Sequence, residues 1–166
     1  MATYLNNLSS FKIEEVDTSI FNNSKIGIIV AEWNKEITNS LLKGALSTLL
    51  NYGVQENNIT IAYVPGSFEL TSGAHTLATT KIFDGLICLG CVIRGETPHF
   101  DYICQGVTQG ITFLNATLDI PIIFGVLTVN NFQQALDRAG GKYGNKGDEA
   151  AIALLKMIYL KNSLKF

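Results

Sequence analysis

Charged residues are scarce in this sequence. Asp, Glu, Lys and Arg together make up 16% of the 166 residues, against roughly 25% in typical soluble domains. The 12 basic and 14 acidic residues leave a formal net charge of −2, so we expect neither nucleic acid nor an anionic membrane as a partner. So few charges fit either a surface partly covered by copies of the same chain or simply a large core. We favour the homo-oligomer.

The sequence also lacks long hydrophobic runs, a leader and a metal-ligand pattern. No apolar run approaches the roughly 18–20 residues of a membrane span. The first 24 residues lack the basic start and apolar stretch of a signal peptide, so we expect a cytoplasmic protein whose three cysteines stay reduced. Two histidines and three cysteines without ligand spacing predict no metal site. The length predicts a single domain over residues 1–166.

Apolar segments of strand length alternate with segments of helical period. Strands are predicted over residues 25–31, 59–64, 84–93 and 121–128. Helices are predicted over about 34–51, 67–79, 100–118, 131–139 and 148–162. This alternation predicts a four-stranded parallel sheet with helices on both faces, a three-layer α/β/α sandwich. Residues 1–24 fit no place in that sheet and are expected to be extended, with an edge strand on a neighbouring subunit as one arrangement.

Short polar residues mark the predicted helix ends. Asn34 and Asn131 each precede a helix and are predicted N-caps, and Gln134 could complete a capping box with Asn131. Gly53 is placed for the left-handed position after a helix. Gly140 and Gly141 are expected to end the helix that Asn131 begins.

Four segments that carry reactive or polar groups follow the four predicted strands. Because ligands bind at the carboxyl ends of strands in open parallel sheets, we expect these segments to form one site. They are residues 32–34, 65–69, 94–99 and 128–130, with the sequences EWN, PGSFE, RGETPH and TVN.

The third of these segments suits an anion. Gly95 allows close backbone approach, Thr97 offers a hydroxyl, and the next helix begins there with free N–H groups. The spacing resembles a P-loop, but Glu96 occupies the lysine position, which argues against a nucleoside triphosphate and leaves a monophosphate open. Taken alone, the segment also fits an ordinary glycine turn.

The histidines, two cysteines and one arginine can each be interpreted as structural or as functional. His99 could transfer protons near neutral pH, although a lone histidine is more often structural; His75 is interpreted as structural. Cys88 and Cys91 have redox spacing but lie within a predicted strand, so we interpret them as core thiols. Arg138 fits either a charge at a helix carboxyl end or a phosphate clamp.

Taken in order, four blocks resemble the lumazine synthase family of riboflavin biosynthesis. They are VPGSFEL at 64–70, GCVIRGETPHFDYIC at 90–104, PIIFGVLT at 121–128 and LDRAGGKYGNKG at 136–147. The resemblance implies a flavodoxin-like fold. It also implies condensation of 5-amino-6-(D-ribitylamino)uracil with 3,4-dihydroxy-2-butanone 4-phosphate to 6,7-dimethyl-8-ribityllumazine, with release of phosphate and water. Since no net redox step is involved, no cofactor is expected.

The resemblance also implies roles for individual residues. Positions for the ribitylaminouracil are Trp33, Asn34, Ser67, Phe68, Glu69, Val92, Ile93, Phe124 and Lys142. Positions for the phosphate are Gly95, Glu96, Thr97 and Arg138. His99 matches the proton-transfer residue. Phe124 and residues 138–142 match elements that a neighbouring subunit contributes, so the site would form at an interface.

The resemblance also bears on how the subunits assemble, and it leaves alternative functions open. The Gly-rich turn at 140–147 implies pentamers arranged as an icosahedral capsid, with a free pentamer as the alternative and riboflavin synthase as a candidate partner. Thr71, Asn131 and Tyr143 depart from the usual family residues. Two alternative hypotheses for the function are a flavodoxin-like binding or signalling module and a non-catalytic paralogue that binds flavin or forms a shell.

Overall fold

The computed structural model describes residues 7–10, 12–13, 17–79 and 82–164. Its main sheet has four parallel strands in the order β2-β1-β3-β4. They are β1 (Ile26–Ala31), β2 (Ile59–Val64), β3 (Gly85–Ile93) and β4 (Ile122–Val129). The predicted parallel sheet is therefore confirmed, with each strand within about two residues of its predicted bounds.

Helices cover both faces of this sheet. They are α1 (Lys35–Asn51), α2 (Leu70–Ala78), α3 (His99–Thr117), α4 (Phe132–Leu136) and α5 (Lys146–Ser163). Buried side chains of α1 and α5 pack on one face, and those of α2 and α3 pack on the other. The molecule is thus the predicted flavodoxin-like α/β/α sandwich.

The central strands explain why the sheet needs two helical layers. All six residues of β1 are buried, and successive side chains of a strand point to opposite faces. Ile28 and Val30 therefore join the core beneath α1 and α5, whereas Ile29 joins the core beneath α2 and α3. A strand without polar positions is stable only when both faces are covered.

The two cysteines of β3 are core thiols, as predicted. Cys88 packs in the α2–α3 core and Cys91 in the α1–α5 core, because residues three apart on a strand face opposite sides. Burial raises the pKa of each thiol to about 12. Neither can act as a thiolate nucleophile near neutral pH.

Two predicted helix boundaries were wrong. Helix α2 begins at Leu70 rather than at Ser67, because residues 67–69 form a turn. Helix α4 ends at Leu136, well before the two glycines that were expected to end it. Residues Ala139–Gly141 (β5) instead pair antiparallel with Gly144–Asn145 (β6) in a short hairpin.

Backbone hydrogen bonds between the residues on either side of the turn explain the hairpin. The N–H of Tyr143 donates to the carbonyl of Asp137 at 2.7 Å, and that of Lys146 to the carbonyl of Arg138 at 2.8 Å. Gly140 and Gly144 have φ of +107° and +79°, which glycine adopts without strain. These contacts replace the helical bonds that α4 would otherwise have continued.

The predicted caps had mixed outcomes. The side chain of Asn34 makes no cap hydrogen bond, so that prediction was wrong: its backbone is left-handed, with φ of 59°. Asn131 does cap α4, accepting from the N–H of Gln134 at 3.0 Å. The Gln134 side chain accepts from the N–H of Asn130, one residue before the capping-box position. Gly53 has the expected positive φ, +92°.

The described parts of the amino-terminal segment form two 3₁₀ turns, Leu8–Ser10 and Thr18–Phe21. Both turns pack against other residues of the same chain. Leu8 and Phe21 are buried, and the N–H of Leu8 donates to the carbonyl of Tyr143 at 2.9 Å. Residues 1–6, 11 and 14–16 lie outside the described residues, so pairing with a neighbouring subunit stays a prediction. Across the described ranges, no helix is long and apolar enough to cross a membrane.

Candidate active site

The strand order places a crevice between β1 and β3. From β1 the chain moves outward to β2 and then returns to place β3 on the other side of β1. The loops that follow β1 and β3 therefore diverge at the carboxyl edge of the sheet, which is where ligands bind in such folds. A cavity of about 780 Å³ lies at this point. It is lined by Trp33, Asn34, Pro65, Gly66, Ser67, Phe68, Glu69, Cys91, Val92, Ile93, Gly95, Thr97, His99, Phe100, Tyr102 and Ile103.

Asn34 ties the two sides of the crevice together. Its Nδ2 donates to the carbonyl of Cys91 on β3 at 2.9 Å. Asparagine tolerates the left-handed backbone that this contact requires better than most residues. On the other side, the N–H of Trp33 donates to the carbonyl of Pro65 at 3.1 Å. The Trp33 ring itself is 72% exposed at the mouth of the cavity.

The turn before α2 lies directly on the sheet. Ser67 is buried, and a Cβ on Gly90 of β3 would lie 2.6 Å from its Oγ, so only glycine permits this approach. The Ser67 hydroxyl has no hydrogen-bond partner among the described residues. Phe68 and Glu69 remain exposed along the cavity, and the Glu69 side chain makes no cap hydrogen bond to α2.

The end of β3 offers a free backbone edge. Pairing of β3 with β1 ends at Leu89, whereas β3 continues to Ile93 and pairs there only with β4. The β1-facing side of Val92 and Ile93 is therefore not paired with that strand. Backbone N–H and C=O groups on such an edge can bind a planar ring that has its own donors and acceptors.

The following turn leads from β3 into α3. Gly95 and Thr97 line the cavity, whereas Glu96 does not. His99 is the first residue of α3, is exposed and also lines the cavity. The amino end of a 19-residue helix carries free N–H groups and a partial positive charge, which favour an anion.

Besides Glu96, three more of the predicted residues do not line this cavity. Phe124 lies within β4, half-buried against the α2–α3 core and paired with Cys88. Arg138 and Lys142 belong to the hairpin after α4, where both cations lie over the ring of Tyr143, at 4.8 and 5.2 Å from its centroid. An Nη of Arg138 also donates to the carbonyl of Gln134 at 3.0 Å, the helix-end contact that the sequence left open.

Three cavity residues on α3 were missed by the sequence analysis: Phe100, Tyr102 and Ile103. Helical spacing could have found two of them, because residues three and four after His99 lie on its side of the helix. In the described part of the chain, no cluster of His, Cys, Asp or Glu could hold a metal ion. The cavity thus combines aromatic walls, a carboxylate, a histidine and a turn at the amino end of a helix.

Comparison with known proteins gives a consistent result. The family model described as 6,7-dimethyl-8-ribityllumazine synthase matches residues 23–162. A protein of that name from Parabacteroides distasonis is 60% identical over 159 residues, which cover 95% of this chain and 98% of the relative. The protein of that name from Porphyromonas gingivalis is 55% identical over 161 residues, 97% of this chain and 99% of the relative.

The Phocaeicola vulgatus protein of the same name is 51% identical over 165 residues, covering 99% of this chain and 97% of the relative. Similarity of this extent spans the sheet, every segment around the cavity and the hairpin after α4. The chain belongs to the 6,7-dimethyl-8-ribityllumazine synthase family, enzymes of riboflavin biosynthesis.

Proposed function

We propose that this protein condenses 5-amino-6-(D-ribitylamino)uracil with 3,4-dihydroxy-2-butanone 4-phosphate, forming 6,7-dimethyl-8-ribityllumazine and releasing phosphate and water. One observation carries the proposal. Segments from three strand ends and the start of α3 meet around one cavity of about 780 Å³, large enough for two small substrates at once. Holding both reactants in position can supply much of the rate of such a condensation.

The uracil ring is assigned to the space between Trp33 and the end of β3. The exposed indole offers a flat apolar surface on which a ring can stack. The unpaired edge of Val92 and Ile93 offers backbone donors and acceptors to the ring carbonyl and N–H groups. Asn34 holds the loop after β1 next to β3 through its hydrogen bond to the carbonyl of Cys91.

The ribityl chain is assigned to the turn at residues 67–69. The Glu69 carboxylate is exposed along the cavity and can accept hydrogen bonds from hydroxyl groups. The Phe68 ring would cover the carbon atoms of the ribityl chain. The Ser67 hydroxyl is directed towards Gly90, so Ser67 would bind through its backbone unless the side chain rotates.

The phosphate is assigned to the turn at residues 95–97 and the amino end of α3. Gly95, Glu96 and Thr97 contribute backbone N–H groups there, and the Thr97 side chain adds a hydroxyl. The Glu96 carboxylate carries the wrong charge for direct contact, and its position outside the cavity lining suits a backbone role. A phosphate dianion also calls for a cation, and Arg138 has the required guanidinium.

We assign that cation to a neighbouring subunit. Arg138, Lys142 and Phe124 do not line the cavity of their own chain. Large apolar side chains are exposed on several surfaces, including Tyr63, Tyr102, Phe113 and Leu160, as expected where copies associate. A ring of five subunits would let each hairpin complete the next cavity, and such pentamers could assemble into a capsid that holds riboflavin synthase.

The chemistry requires proton transfers rather than a strong nucleophile. The amine of the first substrate attacks the ketone of the second, and one water leaves as the C=N bond forms. Phosphate is then eliminated. The ribityl-bearing amine closes the ring on the second carbonyl carbon, with loss of a second water. His99 follows the proposed phosphate turn and lines the cavity, and an imidazole can transfer protons in such a reaction. Because the steps are redox-neutral overall, no cofactor is required.

The test is product formation from the two substrates, followed by lumazine fluorescence. Arg138→Ala is expected to lower kcat/KM roughly 10–100-fold, as for a lost charge-assisted hydrogen bond. His99→Ala is expected to lower kcat roughly 10²-fold, the lower end of the range for acid–base catalysis. His75→Ala, the matched control on the exposed side of α2, should leave both constants unchanged. If folded wild-type protein gives no more product than the spontaneous reaction, the proposal is wrong.

A further inference from the structure

Among the described residues, backbone hydrogen bonds hold the turn between β3 and α3 only at its two ends. At the start, the N–H of Arg94 donates to the carbonyl of Val129 at 2.9 Å, extending the pairing of β3 with β4. At the far end, the N–H of Asp101 donates to the carbonyl of Pro98 at 2.9 Å, in the first turn of α3. The residues between these bonds are exposed. Their conformation therefore depends on whatever joins the two ends.

The Arg94 side chain joins them. Its Nη2 donates to Oδ1 of Asp101 at 2.8 Å, and its Nη1 donates to Oδ2 at 3.3 Å. The guanidinium also lies 4.1 Å from the ring centroid of Phe100, within the range of a cation–π contact. The two residues that directly follow His99 are thus both held by Arg94, the residue that directly follows β3.

This contact is too exposed to contribute much to the stability of the whole fold. The Arg94 and Asp101 side chains are 44% and 59% exposed, and ion pairs in such positions contribute little to the free energy of unfolding. Its effect is local, because it closes a short turn from which Gly95 and Thr97 line the cavity. Small displacements of catalytic groups lower rates far more than they lower stability.

We propose that Arg94 is a positioning residue: its contact with Asp101, which we call the Arg94–Asp101 clasp, holds Thr97 and His99 at the spacing that the phosphorylated substrate requires. The inference rests on the proposed function. Direct binding of phosphate by Arg94 is the competing role, and both of its terminal nitrogens are already engaged by Asp101. That hydrogen bond also raises the pKa of Arg94 above its usual value.

The two roles predict opposite results for one substitution. Asp101→Asn keeps the shape of the side chain but removes its charge, which opens the clasp and frees Arg94. The clasp predicts that Asp101→Asn and Arg94→Gln each lower kcat/KM roughly 3–10-fold. The loss should lie in kcat and in KM for the butanone phosphate, with KM for the ribitylaminouracil unchanged. Direct phosphate binding predicts a loss only for Arg94→Gln.

Coupling between the two positions sharpens this test. The double variant Arg94→Gln/Asp101→Asn should lose no more activity than either single variant, because one contact is broken in all three. The exchange Arg94→Asp/Asp101→Arg should recover part of the loss. Glu56→Gln is the matched control: it removes an exposed carboxylate at the amino end of β2, the opposite edge of the sheet, and should leave kcat/KM unchanged.

An independent measurement separates failure of the clasp from failure of the proposed function. The imidazole resonances of His99, observed by NMR in histidine-labelled protein, should shift in Asp101→Asn and stay in place in Glu56→Gln. A shift in a protein whose wild type is inactive would support the clasp and overturn the condensation. Wild-type kcat/KM in both Asp101→Asn and Arg94→Gln, with unshifted resonances in the former, would overturn the clasp and leave the condensation standing. Loss of activity in Arg94→Gln alone would assign Arg94 to the phosphate instead.

Discussion

Two regions of this molecule carry the proposed site, and they are positioned in different ways. The cavity region comprises residues 32–34, 65–69 and 92–103, which end or follow parallel strands or begin α3. The hairpin region comprises residues 137–147, and side-chain hydrogen bonds and close helix packing hold it in place. The strands fix the first region because their register determines where each loop begins. Specific contacts with Ser40 of α1 and with Leu8 and Ser9 of the amino-terminal turn fix the second.

This difference indicates where single substitutions should act. In the cavity region, changes at the loops should alter activity while the sheet keeps its stability. In the hairpin region, changes at a few buried contacts should alter the stability of the fold itself.

The largest effect is expected at Gly147, the second residue of α5. A Cβ there would overlap the carbonyl of Leu41 on α1, and both helix backbones would have to move apart. Gly147→Ala is therefore expected to lower the free energy of unfolding by about 1–3 kcal/mol, as for other overpacked sites. The measurement is guanidinium unfolding at fixed protein concentration.

Gly95→Ala is the matched control in the cavity region. A Cβ on Gly95 would have no atom within 4 Å, so the stability change should stay within about 0.5 kcal/mol, while KM for the butanone phosphate rises because a methyl group enters the proposed phosphate turn. Equal stability losses in the two variants would contradict the distinction between the regions.

A smaller effect is expected from the two asparagines that precede helices. Asn145 accepts from the N–H of Gly147 at 2.8 Å and donates to the carbonyl of Ser40 at 2.9 Å. Asn145→Ala should therefore lower the free energy of unfolding by about 1–2 kcal/mol. Asn34 makes no cap hydrogen bond, so Asn34→Gly, which keeps the left-handed backbone, should cost only about 0.5–1 kcal/mol. Thermal unfolding of both variants in parallel compares the two losses of stability. A larger loss in Asn34→Gly than in Asn145→Ala would show that the hydrogen bonds of Asn145 do not hold the hairpin.

The last prediction concerns alkaline pH and the sheet beneath the cavity. The pKa of Cys88 and of Cys91 is raised by burial from 9.0 to about 12. In the unfolded chain these thiols lose their protons first, so their contribution to stability is complete below pH 9 and is lost as the pH rises towards 12. Each thiol should lower the free energy of unfolding by about 1 kcal/mol between pH 8 and pH 10.

The control for this pH dependence is the variant Cys88→Ala/Cys91→Ala. Other groups titrate equally in both proteins, so the difference between the two pH profiles isolates the thiols. The variant should lose less stability than wild type over the same interval. Parallel profiles would mean that the two thiols are not desolvated in the folded protein.

The same contrast explains how much the sequence could predict. The continuous apolar run at β1 and the strand–helix alternation predicted the sheet, and with it the convergence of Trp33, Glu69 and His99 on one cavity. These inferences depend on local periodicity and on the rule for parallel sheets. Gly140 and Gly141 looked like a helix end because glycine usually follows one.

What the sequence could not predict depends on contacts between distant residues. The bond of Asn34 to Cys91 joins positions 57 residues apart, and that of Asn145 to Ser40 joins positions 105 apart. Local propensity carries no information on such pairs, so Asn34 was predicted as a cap and α4 was predicted too long. The clasp between Arg94 and Asp101 lies close in sequence, but its side-chain geometry becomes visible only with the fold.

A mixing experiment shows most directly whether the two regions of one site come from different subunits. His99→Ala and Arg138→Ala are each purified, unfolded, mixed in equal amounts and refolded together, and the rate of lumazine formation is compared with that of each variant treated alone. If neighbouring chains share each site, about a quarter of the sites in randomly mixed oligomers contain both wild-type residues. The mixture is then expected to give roughly a quarter of the wild-type rate, far above either variant. A mixture that only averages the two variants would contradict it, since His99 and Arg138 would then act within one chain.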